Sequence, residues 1–306
     1  MRVASLFCGC GGLDLGFRQA GYDIVWANDF DKYAVETYNY NFSNPAVCAD
    51  LNEIDINTIP KHDVLIGGFP CQPFSMMGKE KGFDDKRGTL FFRVTEIIEN
   101  QRDRGHQPRI VVLENVRNLM THDKGKTFKV IKETLEGLGY HVFAAKLNSA
   151  DYGVPQTRNR VFLVCLLDDI DYVFPRGKGS GKKLQDILEN NVDDKYFLSE
   201  RILKTIMSNG TGGYYAKSEI DLEIARPLTA TMAKMHRACQ DNYVTQEKGI
   251  RRLTPRECAR LQGFPEDFRI EVSDAQAYKQ FGNAVTVKVS NAIAKSILEQ
   301  VECRDA

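Results

Sequence analysis

The sequence predicts an α/β fold, a mostly parallel sheet with helices on both faces, accompanied by a small second domain. Three observations carry that expectation. Short apolar runs alternate with helical stretches through the first two thirds of the chain. The first run ends in a glycine-rich loop that opens a helix, and later runs end in chemically active residues, as strands of open α/β sheets do at their carboxyl ends.

In chain order, residues 2 to 7 form a short apolar run ending in Cys8-Gly9-Cys10-Gly11-Gly12. Leu13, Leu15, Phe17 and Ala20 then suit a helix closed by Gly21. A second run, Ile24-Val25-Trp26-Ala27, ends in Asn28-Asp29-Phe30. Further strands are expected at 64 to 67, 110 to 114, 142 to 146 and 161 to 167, with helices around 90 to 100 and 127 to 138. Near the end, Thr254-Pro255 reads as an N-cap followed by proline at the first helical position. A last helix is expected from 287 to 301, with Val289, Ala292, Ile293 and Ile297 on one stripe. The expected division is 1–167 for the sheet domain, 168–225 for a small second domain, and 226–306 for a basic segment and returning helix.

Composition bounds the rest. The 306 residues carry 41 Lys plus Arg against 41 Asp plus Glu, with 42% hydrophobic and 27% charged residues, which excludes a disordered or collagen-like chain. No window approaches the roughly 18 apolar residues of a bilayer span, and no signal-peptide core follows Met1, so a cytoplasmic protein is expected. The eight cysteines lack paired C-x-x-C modules, so no metal site is expected and most should be free thiols.

The glycine loop and Asp29 point to a nucleotide. Asp29 lies 20 residues after Gly9, where such folds hold a ribose hydroxyl, yet G-x-G-G departs from the dinucleotide spacing G-x-G-x-x-G. That favours an adenosine cofactor with no pyrophosphate to cradle, which S-adenosylmethionine fits. In Gly67-Gly68-Phe69-Pro70-Cys71-Gln72-Pro73-Phe74-Ser75 a cysteine stands between two prolines at a strand end, a nucleophile's setting rather than a buried filler's. Glu114 ends another strand, where a solvated cap is the ordinary alternative. Arg158 and Arg160 alternate in Gln156-Thr157-Arg158-Asn159-Arg160, so an extended segment would turn both guanidiniums to one side.

Together these motifs, in order, resemble the DNA (cytosine-5) methyltransferases. Phe7-x-Gly9-x-Gly11-Gly12 is similar to that family's first motif, and Asp29-Phe30 to its ribose- and adenine-holding pair. Asp50-Leu51 sits where another adenine-binding acid belongs. Phe69-Pro70-Cys71-Gln72 resembles the nucleophile loop, Gly88-Thr89-Leu90-Phe91-Phe92 the next cofactor-side motif, and Glu114-Asn115-Val116 the glutamate motif. Gln156-x-Arg158-x-Arg160 is similar to the arginine motif, and Arg226-Pro227-Leu228-Thr229 to a segment after the recognition domain. Gln280-Phe281-Gly282-Asn283-Ala284-Val285 resembles the closing motif that completes the cofactor pocket.

The resemblance implies an S-adenosylmethionine-dependent, Rossmann-like fold, with S-adenosylhomocysteine as product. The cofactor residues it implies are Phe7, Gly9, Cys10, Gly11, Gly12, Asp29, Phe30, Asp50, Leu51, Phe69, Pro70, Leu90, Asn283, Ala284 and Val285. It implies that Cys71 attacks cytosine C6, Glu114 acts at N3, Arg160 meets O2 and Arg158 meets backbone phosphate. The target base must leave the duplex stack. Residues 75 to 87 are expected to close over it, through Ser75, Lys79, Lys81 and Arg87. Gln156, Thr211, Tyr214, Tyr215 and Arg237 complete the expected DNA contacts. Double-stranded DNA is the implied partner, with a cognate restriction endonuclease as companion and a monomer as the acting form. Three readings compete with this one: a transfer-RNA methyltransferase on the same motifs, a non-catalytic DNA-binding relative and a nicotinamide oxidoreductase.

Charge is unevenly spread. Residues 1 to 65 hold four basic groups against nine acidic, and residues 226 to 260 hold eight basic against three acidic. The second stretch is expected to offer DNA a basic surface.

Overall fold

The computed structural model describes residues 1–70, 90–208, 219–234, 236–237 and 239–305, with the side chains of 302–305 left aside. Its centre is a seven-stranded sheet of β1 (Arg2–Leu6), β2 (Asp23–Asp29), β3 (Val47–Cys48), β4 (Val64–Gly67), β5 (Ile110–Val116), β6 (His141–Asn148) and β7 (Asn159–Leu166). Their order is β3-β2-β1-β4-β5-β7-β6. The pairs from β3 through β5 are parallel, whereas β7 runs antiparallel to β5. Ten residues, 149 to 158, join β6 to β7, too few for the helical crossover that a parallel neighbour would require. The sheet reverses there.

The helices are α1 (Gly12–Gln19), α2 (Lys32–Asn41), α3 (Leu90–Asp103), α4 (Lys126–Gly137), α5 (Glu200–Met207), α6 (Pro255–Leu261), α7 (Asp274–Asn283) and α8 (Val287–Asp305). Tyr243–Gln246 and Gly249–Arg252 add a two-stranded antiparallel ribbon, β8 and β9. The core packs Leu6, Leu65, Val111, Leu113 and Leu163 of the sheet with Val94, Ile97 and Ile98 of α3 and Ile131 and Leu135 of α4. Each fully buried aliphatic side chain of this kind stabilises the fold by about 1.5–3 kcal/mol.

The chain divides into two compact units. The first comprises Met1–Leu147, Asn159–Pro175 and Ser290–Ala306; the second comprises Asn148–Arg158 and Arg176–Val289. The expected boundary between 225 and 226 falls inside the second unit, and the segment from 148 to 158, placed by sequence in the first domain, belongs to the second. Helices α2, α5 and α7 were not anticipated from periodicity. In α2 only Ala34, Val35, Thr37 and Tyr38 are buried, among tyrosines and asparagines that do not mark a helix. The signal lay at its start, where the Asp31 carboxylate accepts from the amides of Tyr33 and Ala34.

Candidate active site

Glu114 lies at the carboxyl end of β5, opposite Phe162 of β7 in the antiparallel register. Arg160 is two residues from Phe162 along β7, so its side chain shares the Glu114 face as a diagonal neighbour. The guanidinium Nε stands 3.0 Å from Glu114 Oε1, and the side chains are 21% and 11% exposed. An ion pair that closed to water is costly to assemble and holds its partners in one geometry.

Two residues fix the surroundings of this pair. A Cβ on Gly68 would lie 3.2 Å from Glu114 Oε2, so glycine keeps the turn after β4 clear of the carboxylate. Asn115 donates from Nδ2 to the Phe69 carbonyl at 2.8 Å, while its Oδ1 accepts from the Val116 amide. The chain leading toward Cys71 is thereby tied to the strand end that carries Glu114. Sequence reasoning quoted Asn115 only as part of a motif and gave it no task. Cys71 itself lies outside the described residues, as do Ser75, Lys79, Lys81, Arg87, Thr211, Tyr214 and Tyr215.

The glycine loop occupies the carboxyl end of β1. Gly9 and Gly11 have φ of 55° and 91°, and Phe7 takes a φ of 54°, a backbone conformation uncommon for a side chain of that size. At Gly11 a Cβ would fall 2.3 Å from the Phe42 ring, so only glycine lets the loop lie against α2. At Gly9 a Cβ would meet nothing within 4 Å, which leaves open space on that side. The Asp29 carboxylate accepts from the Gly9 amide at 2.9 Å and the Asp31 amide at 2.8 Å. Burial nevertheless holds its carboxyl above the usual range. Phe30, beside it, is 73% exposed, a free aromatic face at the strand end.

Asn28 donates from Nδ2 to the carbonyls of Val47 and Ala49, and Arg93 of α3 donates to those of Leu51 and Ile54. These bonds set the turn of Asp50 and Leu51, the acid exposed and the leucine buried. Cys10 and Phe69 are buried, Pro70 is exposed and Leu90 opens α3. An open glycine loop, a ribose-height carboxylate and an exposed aromatic ring suit an adenosine cofactor. Among the described residues no group of three His, Cys, Asp or Glu could hold a metal ion.

The second unit corrects two expectations. Arg158 does not share a face with Arg160. It is 1% exposed, and its guanidinium donates to the carbonyls of Leu228 at 3.0 Å and of Gly282 and Ala284 at 2.9 Å. A guanidinium closed in by backbone carbonyls cannot reach a phosphate, so Arg158 is a brace for the segment carrying Asn283, Ala284 and Val285. Gln156 is also fully buried. Its amide donates to the Leu261 carbonyl and accepts from the Leu228 amide, so it offers nothing to DNA. Arg237 binds Thr229 Oγ1 at 2.8 Å and lies 3.6 Å from Asp241. Asn283 is exposed, whereas Ala284 and Val285 are buried.

The expected basic surface at 226 to 260 also shrinks. Arg251 pairs with Glu257 in full burial, and Arg226, Lys248 and Arg260 pair with Glu219, Asp194 and Glu266. Arg256 donates to the carbonyls of Pro265 and Phe268. Most of these cations brace the second unit.

Comparison with known proteins agrees with the motif order. The family model described as "C-5 cytosine-specific DNA methylase" matches residues 1–299. The chain is 42% identical to the type II methyltransferase M1.ScrFI of Lactococcus lactis subsp. cremoris, covering 98% of this chain and 79% of that protein. It is 41% identical to the type II methyltransferase M.NlaX of Neisseria lactamica, covering 97% and 96%. Among solved structures, the S. pombe Dnmt2 methyltransferase superposes with a TM-score of 0.78 at 22% identity, over 98% of this chain and 99% of that one, a likeness of fold.

Proposed function

The chain belongs to the C-5 cytosine-specific DNA methylases and is a DNA cytosine-5 methyltransferase, in which we propose that Glu114 and Arg160 grip the target cytosine while Cys71 attacks it. The observation that carries this reading is the 3.0 Å contact of Arg160 with Glu114 at the shared end of β5 and β7. It supports a paired grip on one edge of a base: a carboxyl group for N3 and a guanidinium for O2.

Cytosine C5 is too weak a nucleophile to accept a methyl group unaided. In the proposed sequence the Cys71 thiolate bonds to C6, and the electrons of the C5–C6 double bond pass toward N3 and O2. Glu114 supplies or shares the proton at N3, and Arg160 meets the charge at O2. C5 then has enamine character and accepts the methyl group. Loss of the C5 proton and expulsion of the Cys71 sulfur restore the ring as 5-methylcytosine. Bound S-adenosylmethionine supplies a methyl group activated by a sulfonium and leaves as S-adenosylhomocysteine. The glycine loop, Asp29, Phe30, Asp50 and Leu51 would hold its adenosine.

The substrate is a flipped cytosine in a short specific site of duplex DNA, and unstacking it costs a few kcal/mol. The type II names of the relatives support a restriction endonuclease acting on the same site as a companion. A monomer acting in the cytoplasm, without a metal, completes the proposal. Transfer of tritiated methyl groups to plasmid DNA and to transfer RNA tests it. Wild-type protein should label DNA alone, and Cys71→Ser should bind S-adenosylmethionine but transfer nothing, because a hydroxyl is a far poorer nucleophile at neutral pH. Wild-type rates in the serine variant would contradict the mechanism, and labelling confined to transfer RNA would contradict the substrate.

A further inference from the structure

We propose that Asp14 makes the cofactor pocket distinguish S-adenosylmethionine from S-adenosylhomocysteine, by holding an uncompensated negative charge behind the glycine loop. The inference rests on the reading of that loop as the cofactor site. The two molecules share adenosine and the amino-acid chain, and differ at sulfur: the donor is a methylated cation and the product a neutral thioether. A fixed negative charge close behind the loop stabilises the first and is indifferent to the second.

Asp14 has that placement. It lies in the first turn of α1, directly after the loop, and is fully buried. The Tyr38 hydroxyl of α2 donates to its Oδ1 at 3.0 Å, while Oδ2 has no hydrogen bond of good geometry among the described residues; the nearby Ser5 hydroxyl of β1 helps hold the carboxyl down. No lysine, arginine or histidine pairs with it among those residues. Arg18, one turn further along α1, is diverted: its guanidinium lies 4.4 Å over the Phe42 ring and donates to the Asn41 carbonyl. The start of α1 favours an anion at this position, which helps keep the charge there despite burial. The field crosses the loop, because Asp14 contributes to raising the thiols of both Cys8 and Cys10, on either side of Gly9. No step of the methyl transfer uses this carboxylate.

Burial pushes the Asp14 carboxyl up to about 6. Below that pH it is neutral and the discrimination disappears; above it the charge is present. The titratable groups around it are few. Cys8 and Cys10 in the loop and Tyr38 on α2 are raised by burial and stay neutral near pH 7. Asp29 on β2 is raised by burial too, but it stands where the ribose common to both molecules would bind. Its charge reaches Cys8 and Cys10 as well, so its titration adds to the wild-type pH dependence, and Asp14→Asn isolates the part that belongs to Asp14.

The test is calorimetric titration with S-adenosylmethionine and with S-adenosylhomocysteine, each from about pH 5 to about pH 8. In the wild type, preference for the donor over the product should grow at least about fivefold with rising pH, with a midpoint near the Asp14 value. Asp14→Asn, which keeps size and a hydrogen-bond acceptor for Tyr38, should lower the preference for the donor at neutral pH by about fivefold and lose the transition near the Asp14 value. Tyr38→Phe retains the charge but removes the donor that favours it, so its midpoint should move to higher pH. An Asp14→Asn protein with the wild-type ratio and pH dependence overturns the inference, as does a wild-type ratio that ignores pH. If the wild type binds neither molecule, the cofactor reading of the loop fails and the inference falls with it.

Discussion

Arg158 and Arg160 stand two residues apart in one motif and do opposite work. Alternation put both guanidiniums on one side of an extended segment, and that was the limit of what spacing could say. The strand begins only at Asn159, so Arg158 precedes it and belongs to the second unit, where three carbonyls take its hydrogen bonds. Arg160 remains on the sheet, against Glu114. Alanine substitution should separate the two roles. Arg160→Ala takes a cation from the nearly closed Glu114 carboxylate; it should cost less stability than Arg158→Ala and lower kcat by about a hundredfold or more, since a donor to developing charge is lost. Arg158→Ala should cost about 3 kcal/mol of stability, because it strips a charged donor from buried acceptors. Thermal melts and steady-state methylation rates check both; a stable Arg158→Ala protein would show that the brace is dispensable.

At the scale of elements, legibility followed the strength of local signals. The strands that end in Gly67 and Glu114 were readable because buried parallel strands are continuous apolar runs. Helix α6 was readable from its cap alone. Thr254 Oγ1 accepts from the Glu257 amide, and the Glu257 carboxylate accepts from the Thr254 amide at 2.8 Å, closing a reciprocal box. That same glutamate takes two of the Arg251 bonds, at 2.6 and 2.8 Å, which no helix or strand pattern could reveal since the arginine comes from β9. Thr254→Ala should therefore cost about 1 kcal/mol, measurable as a lower denaturation midpoint at unchanged slope. The reversal of β7 was equally hidden: its apolar run looks the same in either direction, and the short link from β6 decides it.

For the whole molecule, the ordered motifs carried the family and the fold, and those at 7–12, 28–30, Phe69 and Glu114 lie at or just after the carboxyl ends of strands in one sheet. Charge was a poorer guide. Overall neutrality concealed a basic stretch at 226 to 260, but the structure uses most of those cations to hold the second unit together. The brace formed by Gln156 and Arg158 was invisible for a related reason: it joins residues 156 and 158 to positions 70 to 126 residues further along the chain. At the centre of the proposed reaction is Cys71 as the nucleophile, with Glu114 and Arg160 gripping the base. Its most direct test is mass spectrometry of the protein trapped on duplex DNA that carries 5-fluorocytosine at the methylated position, found by bisulfite sequencing. Fluorine cannot leave C5 as a proton does, so a covalent protein–DNA adduct should accumulate with S-adenosylmethionine present, and its peptide should carry the base on Cys71. An adduct on any other residue, or methylated product with no adduct on the way, would contradict the account.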